Sequence, residues 1–353
     1  MRSTRRSTRF LAAAAATALA LTLGACGSED GSGSDGADTD ASGSGSSEAA
    51  FPVTIEHALG TTTIPEKPER VATVAWANHE VPLALGVVPV GMSKATWGDD
   101  DNDGVLPWVE DKLEELGAET PVLFDETDGI DFEAVAATEP DVILASYSGL
   151  TQEEYDTLEK IAPVVAYPEI AWGTSVQDMI KLNSEALGLA AEGEELVADL
   201  DTKVAESFAA HESLAGKKIM FAFIDANDLS QIGFYTSHDT RPGFVVSAGM
   251  ANPQVVEEAS AETEDFYVTR SAEDAEAFAD VDVFVTYGEP DGKLVEQIQA
   301  DPLLSKIPAI QRGAIAILEE STPLAASANP SPLSIDWGID EYFDVLATAA
   351  DKS

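Results

Sequence analysis

A single cysteine, Cys26, stands in a chain of 353 residues. Disulfides within the chain are therefore excluded, no thiol nucleophile is available to the folded part, and stability must come from burial alone. Basic residues are also scarce: 19 lysines and arginines face 64 acids, a formal charge of −45. That balance argues against nucleic acid or an anionic lipid surface as a partner. The four histidines, His57, His79, His211 and His238, are scattered and lack the close spacing of a metal site. There is no Gly-rich phosphate loop and no Gly-x-Ser-x-Gly elbow. Paired acids such as Glu153-Glu154 and Glu257-Glu258 are frequent because acids are frequent, so they carry no general acid–base signal. The expectation is a protein that is not an enzyme and needs no cofactor.

No apolar run reaches the roughly 20 residues of a membrane-spanning helix. Residues 1–9 carry four arginines and no acid, and an apolar stretch, Phe10 to Leu23, follows. Together they form an export signal. The tetrad Leu23-Gly24-Ala25-Cys26 resembles a bacterial lipobox. That resemblance implies a lipoprotein signal peptide over residues 1–25, cleavage before Cys26, and lipid attachment at its sulfur. The chain would then sit on the extracytoplasmic face of the cell membrane, with a charge of about −49 once the four arginines of the signal are gone. Residues 26–50 are small and polar and read as a flexible tether.

Beyond the tether, short β-rich runs alternate with helical stretches, which indicates an α/β architecture with mostly parallel sheets. Strands are expected at residues 71–75, 87–91, 121–124, 142–145 and 164–167, with helices at 130–139 and 153–161 ending before prolines. This is a first lobe, residues 51–193. Residues 174–211 hold no strand signal and read as two helices. In the second, Leu196, Val197, Leu200, Val204 and Phe208 recur three or four apart. Residues 194–213 are thus expected to bridge to a second lobe, residues 214–330. Its strands fall at 218–224, 232–235, 281–287 and 314–318, its helices at 241–247, 272–278 and 293–300, and a helical segment closes the chain at 331–353.

Open parallel sheets bind ligands beyond the carboxyl ends of their strands. The residues at those positions are Trp76, Trp97, Tyr147, Ser148, Trp172, Tyr235, Arg241, Tyr287 and, late in the chain, Trp337. Aromatic rings clasp a bulky amphipathic ligand, and a guanidinium offers a fixed fork to its oxygens. A binder of free metal would instead need His79 and His238 to converge across the cleft. An extracellular enzyme or a surface adhesin on the same scaffold is the alternative of a different class, yet no nucleophile–base pair and no repetitive or apolar surface supports it.

Seven segments carry a family resemblance. They are Ile64-Pro-Glu-Lys-Pro-Glu-Arg70-Val71, Leu83-Ala-Leu-Gly86-Val-Val-Pro89-Val-Gly91, and Phe132-Glu-Ala-Val-Ala-Ala-Thr-Glu-Pro140-Asp141-Val-Ile-Leu. After them come Ala145-Ser-Tyr-Ser-Gly149-Leu-Thr, Ile161-Ala-Pro163-Val-Val, Asp301-Pro-Leu-Leu with Ile307-Pro-Ala-Ile-Gln-Arg-Gly313, and Ser331-Pro-Leu-Ser334-Ile-Asp-Trp337. In this order, behind a lipobox, they resemble the iron-siderophore and cobalamin class of substrate-binding proteins of ABC importers. The resemblance implies a class III periplasmic-binding-protein fold: two Rossmann-like lobes, one long helix between them, a small closing motion, and a monomer. It implies a ferric siderophore as ligand, hydroxamate favoured, with haem, cobalamin, ferric citrate or catecholates open. It also implies docking to a permease dimer with its ATPase through one glutamate per lobe, here Glu153 and Glu262.

Overall fold

Valine- and isoleucine-rich runs too short for helices become strands, and the stretches between them, apolar at every third or fourth residue, become helices. The computed structural model describes residues 50–289 and 291–353. The signal peptide, Cys26 and the tether up to residue 49 lie outside the described residues. A hairpin of β1 (Val53–His57) and β2 (Gly60–Ile64) precedes the first sheet. That sheet holds β3 (Val71–Thr73), β4 (Gly91–Ser93), β5 (Val122–Phe124), β6 (Val142–Leu144) and β7 (Val164–Val165). Their order is β5-β4-β3-β6-β7, with every pairing parallel. Every residue of β3, β6 and β7 is buried, as strands covered by helices on both faces require. The helices here are α1 (Glu80–Ala84), α2 (Pro107–Leu116), α3 (Phe132–Ala137), α4 (Gln152–Leu158) and α5 (Val176–Ala186).

A long helix, α6 (Ala190–Ala210), leads to the second sheet. The strands are β8 (Ile219–Phe223), β9 (Gln231–Tyr235), β10 (Tyr267–Ser271), β11 (Val283–Gly288) and β12 (Ile315–Glu319), in the order β10-β9-β8-β11-β12. Around them lie α7 (Thr240–Ala248), α8 (Gln254–Glu262), α9 (Lys293–Ala300), α10 (Pro308–Arg312), α11 (Pro323–Ser327) and the terminal α12 (Pro332–Ala350).

Five details differ from the sequence reading. The second strand starts at Gly91 and not Val87, because Pro89 has no N–H to give to a ladder. The second sheet is not parallel throughout: β9 pairs antiparallel with both β8 and β10. Strand β10 escaped notice because it is an edge strand, only half-buried, without clean alternation. Residues 272–278 are a kinked 3-10 segment rather than an α-helix. Helix α6 begins at residue 190 rather than 194, since Gly193 lies inside it; a Cβ there would come within 2.0 Å of Ser184 Oγ on α5, so glycine marks close helix packing and not a break.

The two sheets share a core. Val81, Tyr147, Met179 and Ile180 from the first lobe join Phe221, Val285 and Leu318 from the second, through Leu200 and Val204 of α6 and Ile339 and Phe343 of α12. Helix α12 is capped by Ser331 with Ser334, and Pro332 sits where a missing N–H costs nothing. Its first turn also receives a carboxylate from the other lobe. Glu80, fully buried on α1, accepts from Trp108 Nε1 at 2.8 Å and from Leu333 N at 3.0 Å. Burial raises its pKa to about 7, against the pull of those hydrogen bonds. The neighbouring His79 is pushed the other way, down to about 4, also by burial.

The two shifts oppose each other in the pH dependence of stability. Glu80 binds its proton more tightly when folded, so its contribution is complete below pH 4.5 and is lost as pH rises through about 7. His79 binds its proton less tightly when folded, so its contribution is present above pH 6.5 and is lost as pH falls through about 4. At 1.36 kcal/mol per unit, each amounts to roughly 3 kcal/mol. Glu80→Gln is expected to remove only the first, so its unfolding free energy should rise between pH 4.5 and 7 by about 3 kcal/mol more than that of the parent. Urea melts across that range check it; parallel curves would refute the assignment.

Candidate functional site

The loop that leaves β3 turns sharply. Ala75 and Ala77 both take φ of 61°, a left-handed conformation that costs a non-glycine residue about 1–2 kcal/mol. Asn78, fully buried, holds the loop in place: its Nδ2 donates to the carbonyls of Val74 (2.8 Å) and Tyr147 (2.9 Å), while its Oδ1 accepts from Tyr147 N (3.1 Å) and Ser146 Oγ (3.2 Å). The loops after β3 and β6 are thereby fixed to each other. Trp172, on the loop after β7, lies against the second of them. Its backbone N–H donates to Ser148 O at 2.8 Å, and its ring occupies the space a Cβ on Gly149 would need, with Nε1 2.1 Å from such an atom. Glycine at 149 is thus set by the indole.

Beyond the carboxyl ends of β3 to β6 these loops enclose a cavity of about 310 Å³, lined by Trp76, Trp172, Ser148, Gly149, Lys94 and Glu126 among others. Trp76, Trp172 and Ser148 were expected there; Ser148 is fully buried behind the wall, and its hydroxyl is spent on Ala145 O. Glu126 was not expected. Its Oε2 accepts from Ala75 N at 2.9 Å and Ser93 Oγ at 3.0 Å, and burial raises its pKa despite them.

The second lobe brings a different cluster. Asp239 caps α7 and takes two hydrogen bonds from Arg241 Nη1, at 2.8 and 3.0 Å. Arg241 Nε donates to Tyr287 OH at 3.1 Å, and its guanidinium carbon lies 4.5 Å from the centre of the Tyr235 ring. Burial works against the guanidinium's charge, but Tyr287 and Asp239 more than offset it and hold its pKa well above the ordinary value. Trp97 of the first lobe meets Tyr287 edge-on at 5.5 Å.

Tyr147 is almost wholly buried and does not face the cavity. Its ring packs edge-on against Trp172 at 5.5 Å, and its hydroxyl reaches the other lobe, accepting from Asn329 Nδ2 at 3.1 Å and lying 3.3 Å from Thr240 Oγ1. Thr240 in turn donates to Asn329 Oδ1, which closes a three-membered ring. Trp337 stands apart from the others. It packs against Trp108 at 5.3 Å and is partly exposed, because α12 turns Ile335 and Ile339 inward and leaves the residue between them on the far side. The histidines do not form a pair: His79 is enclosed in the first lobe, and His238 Nε2 lies 3.0 Å from the carbonyls of Ser260 and Thr263. Among the described residues, the acids whose carboxylates converge are Asp99, Asp101 and Asp103, within 4.8 Å of one another. With Gly104 and Glu110 they have the spacing of a calcium loop, but they are largely spent on backbone N–H groups of their own turn.

Residues 71–322 match the model of the periplasmic binding protein family. The chain belongs to that family. Its members bind substrates for ABC transport, and its fold is the class III arrangement of two α/β lobes. PiaA of Streptococcus pneumoniae TIGR4, whose crystal structure contains ferrichrome, is 46% identical with a TM-score of 0.81, the match covering 85% of this chain and 99% of PiaA. A periplasmic solute binding protein from Mycobacterium smegmatis is 26% identical with a TM-score of 0.68, covering 84% and 98% of the two chains. The protein named "Probable siderophore-binding lipoprotein YfiY", of Bacillus subtilis, is 32% identical over 155 residues, 43% of this chain and 44% of YfiY. The chain thus matches less than half the length of that curated relative.

Gly149→Ala is expected to displace Trp172, at a cost of about 1–3 kcal/mol for overpacking. A lower urea midpoint together with a changed tryptophan emission spectrum would bear this out. An unaltered midpoint and spectrum would mean that the indole does not sit over Gly149.

Proposed function

We propose that this chain is a lipid-anchored, extracytoplasmic binding protein that captures a ferric siderophore of hydroxamate type and delivers it to an ABC importer, without catalysing a reaction. One observation carries the reading: an aromatic-lined cavity at the strand ends of the first lobe and an arginine–tyrosine cluster in the second, in a chain 46% identical over nearly all of a protein crystallised with ferrichrome. Trp76, Trp97, Trp172, Tyr235 and Tyr287 supply flat apolar surface, and Arg241 supplies donors to ligand oxygens. Arg241 Nη2 has no protein hydrogen bond among the described residues, so one edge of the fork is free for this purpose. Tyr147 acts from behind by linking the lobes, and Trp337 is left out of the ligand set. The scaffold holds no resident cofactor in this reading; the iron arrives within the cargo.

Delivery requires recognition by a permease dimer coupled to its ATPase. Glu153 is exposed in the first turn of α4, while its neighbour Glu154 is engaged with Thr151, so of this pair Glu153 is the one whose carboxylate makes no hydrogen bond among the described residues. Glu262 is exposed at the end of α8 on the other. Exposed charges on both lobes orient an encounter more than they tighten it. Cys26 would carry the lipid and hold the monomer to the membrane.

Tryptophan quenching tests the reading. The full chain, titrated with ferrichrome, iron-free ferrichrome, ferric citrate, haem, cobalamin, zinc and manganese, is expected to bind ferrichrome at about 1 μM or tighter. Arg241→Ala should weaken that by tenfold or more, in line with a charged hydrogen bond of about 1.5–3 kcal/mol. Glu153→Ala with Glu262→Ala should reduce uptake in cells and leave the dissociation constant alone. Response to zinc or manganese only would overturn the proposal.

A further inference from the structure

The electrostatics of the cavity carry the proposed function one step further, to the kind of ferric complex that fits. Arg241 is the cation of the second-lobe cluster, and Asp239 already neutralises it through two short hydrogen bonds, 2.8 and 3.0 Å. It can orient oxygens but adds little net charge to the cleft. Lys94, at the cavity wall, has no ion pair within 4.0 Å among the described residues; its charge is felt at Asp125, whose carboxyl is lowered first by Thr127 and then by Lys94. Of the two acids that line the cavity, Glu154 is tied to the N–H and hydroxyl of Thr151. Both of those bonds fall on its Oε2, as they do in Glu126; what sets Glu126 apart is its place, tied to Ala75 N and Ser93 Oγ at the strand ends and buried deeply enough to raise its pKa. The Oε1 of Glu126 has only a 3.3 Å contact from Ala75 N, so one carboxylate oxygen of a half-buried acid stays available to the cavity.

A carboxylate with no ion pair of its own favours a donor, and together with Glu154 it outnumbers Lys94, the one cation on the cavity wall, so the cavity is net negative and disfavours an anion. We infer that Glu126 is a specificity-determining residue that accepts a hydrogen bond from an N–H or ammonium group on the ligand, so that the site selects neutral or cationic ferric complexes over anionic ones. The inference rests on the siderophore reading and narrows it: a linear ferric trihydroxamate with a free terminal ammonium fits, and a ferric tris-catecholate, which carries negative charge, does not.

The test uses ligand chemistry before mutation. The full chain is titrated by tryptophan quenching with a linear ferric trihydroxamate bearing a free ammonium, with the same compound acetylated at that amine, and with a ferric tris-catecholate. Tighter binding of the ammonium form by about tenfold is expected, the scale of one charge-assisted hydrogen bond, with the catecholate weakest. In Glu126→Gln, which keeps an acceptor for Ala75 N, the preference should disappear. Glu185→Gln, an exposed acid on α5 distant in role, removes the same unit of charge and should keep it. Equal affinities for the free and acetylated ligands, a preference that survives in Glu126→Gln, or catecholate binding as tight as hydroxamate would each overturn the inference while leaving the siderophore reading in place. Failure of every ferric complex to bind would instead remove the reading on which it rests.

Discussion

The arrangement of the cleft depends on one buried amide. Asn78 spends its side chain on the backbone of two loops that are 69 residues apart in sequence, and its Oδ1 also lies 3.3 Å from Asn183 Nδ2 on α5. Its bonds are the larger part of what offsets the left-handed turns at Ala75 and Ala77, since each turn costs about 1–2 kcal/mol and a net hydrogen bond yields about 1. What the amide fixes is more than its own loop. The position of Trp76, the depth to which Tyr147 is buried, and the seat of Trp172 on Gly149 all follow from where these two loops meet.

From that joint the coupling runs across the lobes. The ring of Tyr147, Thr240 and Asn329 is small, neutral and fully enclosed, so its hydrogen bonds are not weakened by competing water. Glu80 makes a second tie, from α1 to the start of α12, at the far side of the shared core. With α6 spanning the lobes and α12 packed along it, a large hinge motion would expose apolar surface that belongs to both halves at once. Limited motion is the mechanical consequence, and it means that the shape of the cleft must already be close to the shape of its ligand.

The parallel strands of the first sheet were legible because burial on both faces leaves a continuous apolar run, and the loops that follow them were legible because topology alone puts them at the cleft. The aromatic residues could be found by position. Whether each faced inward could not. Trp337 and Ile335 differ by two residues, but on a helix that is over half a turn, so the inward direction of Ile335 sends Trp337 outward. The polar residues that organise the site were hidden for another reason. Asn78, Asp239 and Asn329 carry no periodicity, and Glu126 is one acid among 64, with only its distance from Ser93 and Ala75 to set it apart. Such residues act through partners tens of residues away, and that kind of pairing leaves no trace in a single sequence.

The acidity of the chain has two separate sources of effect. Most of the 64 acids are solvated, and the field of a solvated charge fades within about a Debye length, some 8–10 Å at physiological salt. They keep the surface soluble and set a diffuse preference against anions. Inside the cavity the dielectric is lower and a single charge counts for more than many outside. Because Asp239 cancels Arg241 in the second lobe, the guanidinium serves geometry, and in the cavity Glu126 and Glu154 outweigh the single cation Lys94. A site built this way holds its ligand mainly through ring contact and hydrogen-bond direction, and uses charge chiefly to exclude.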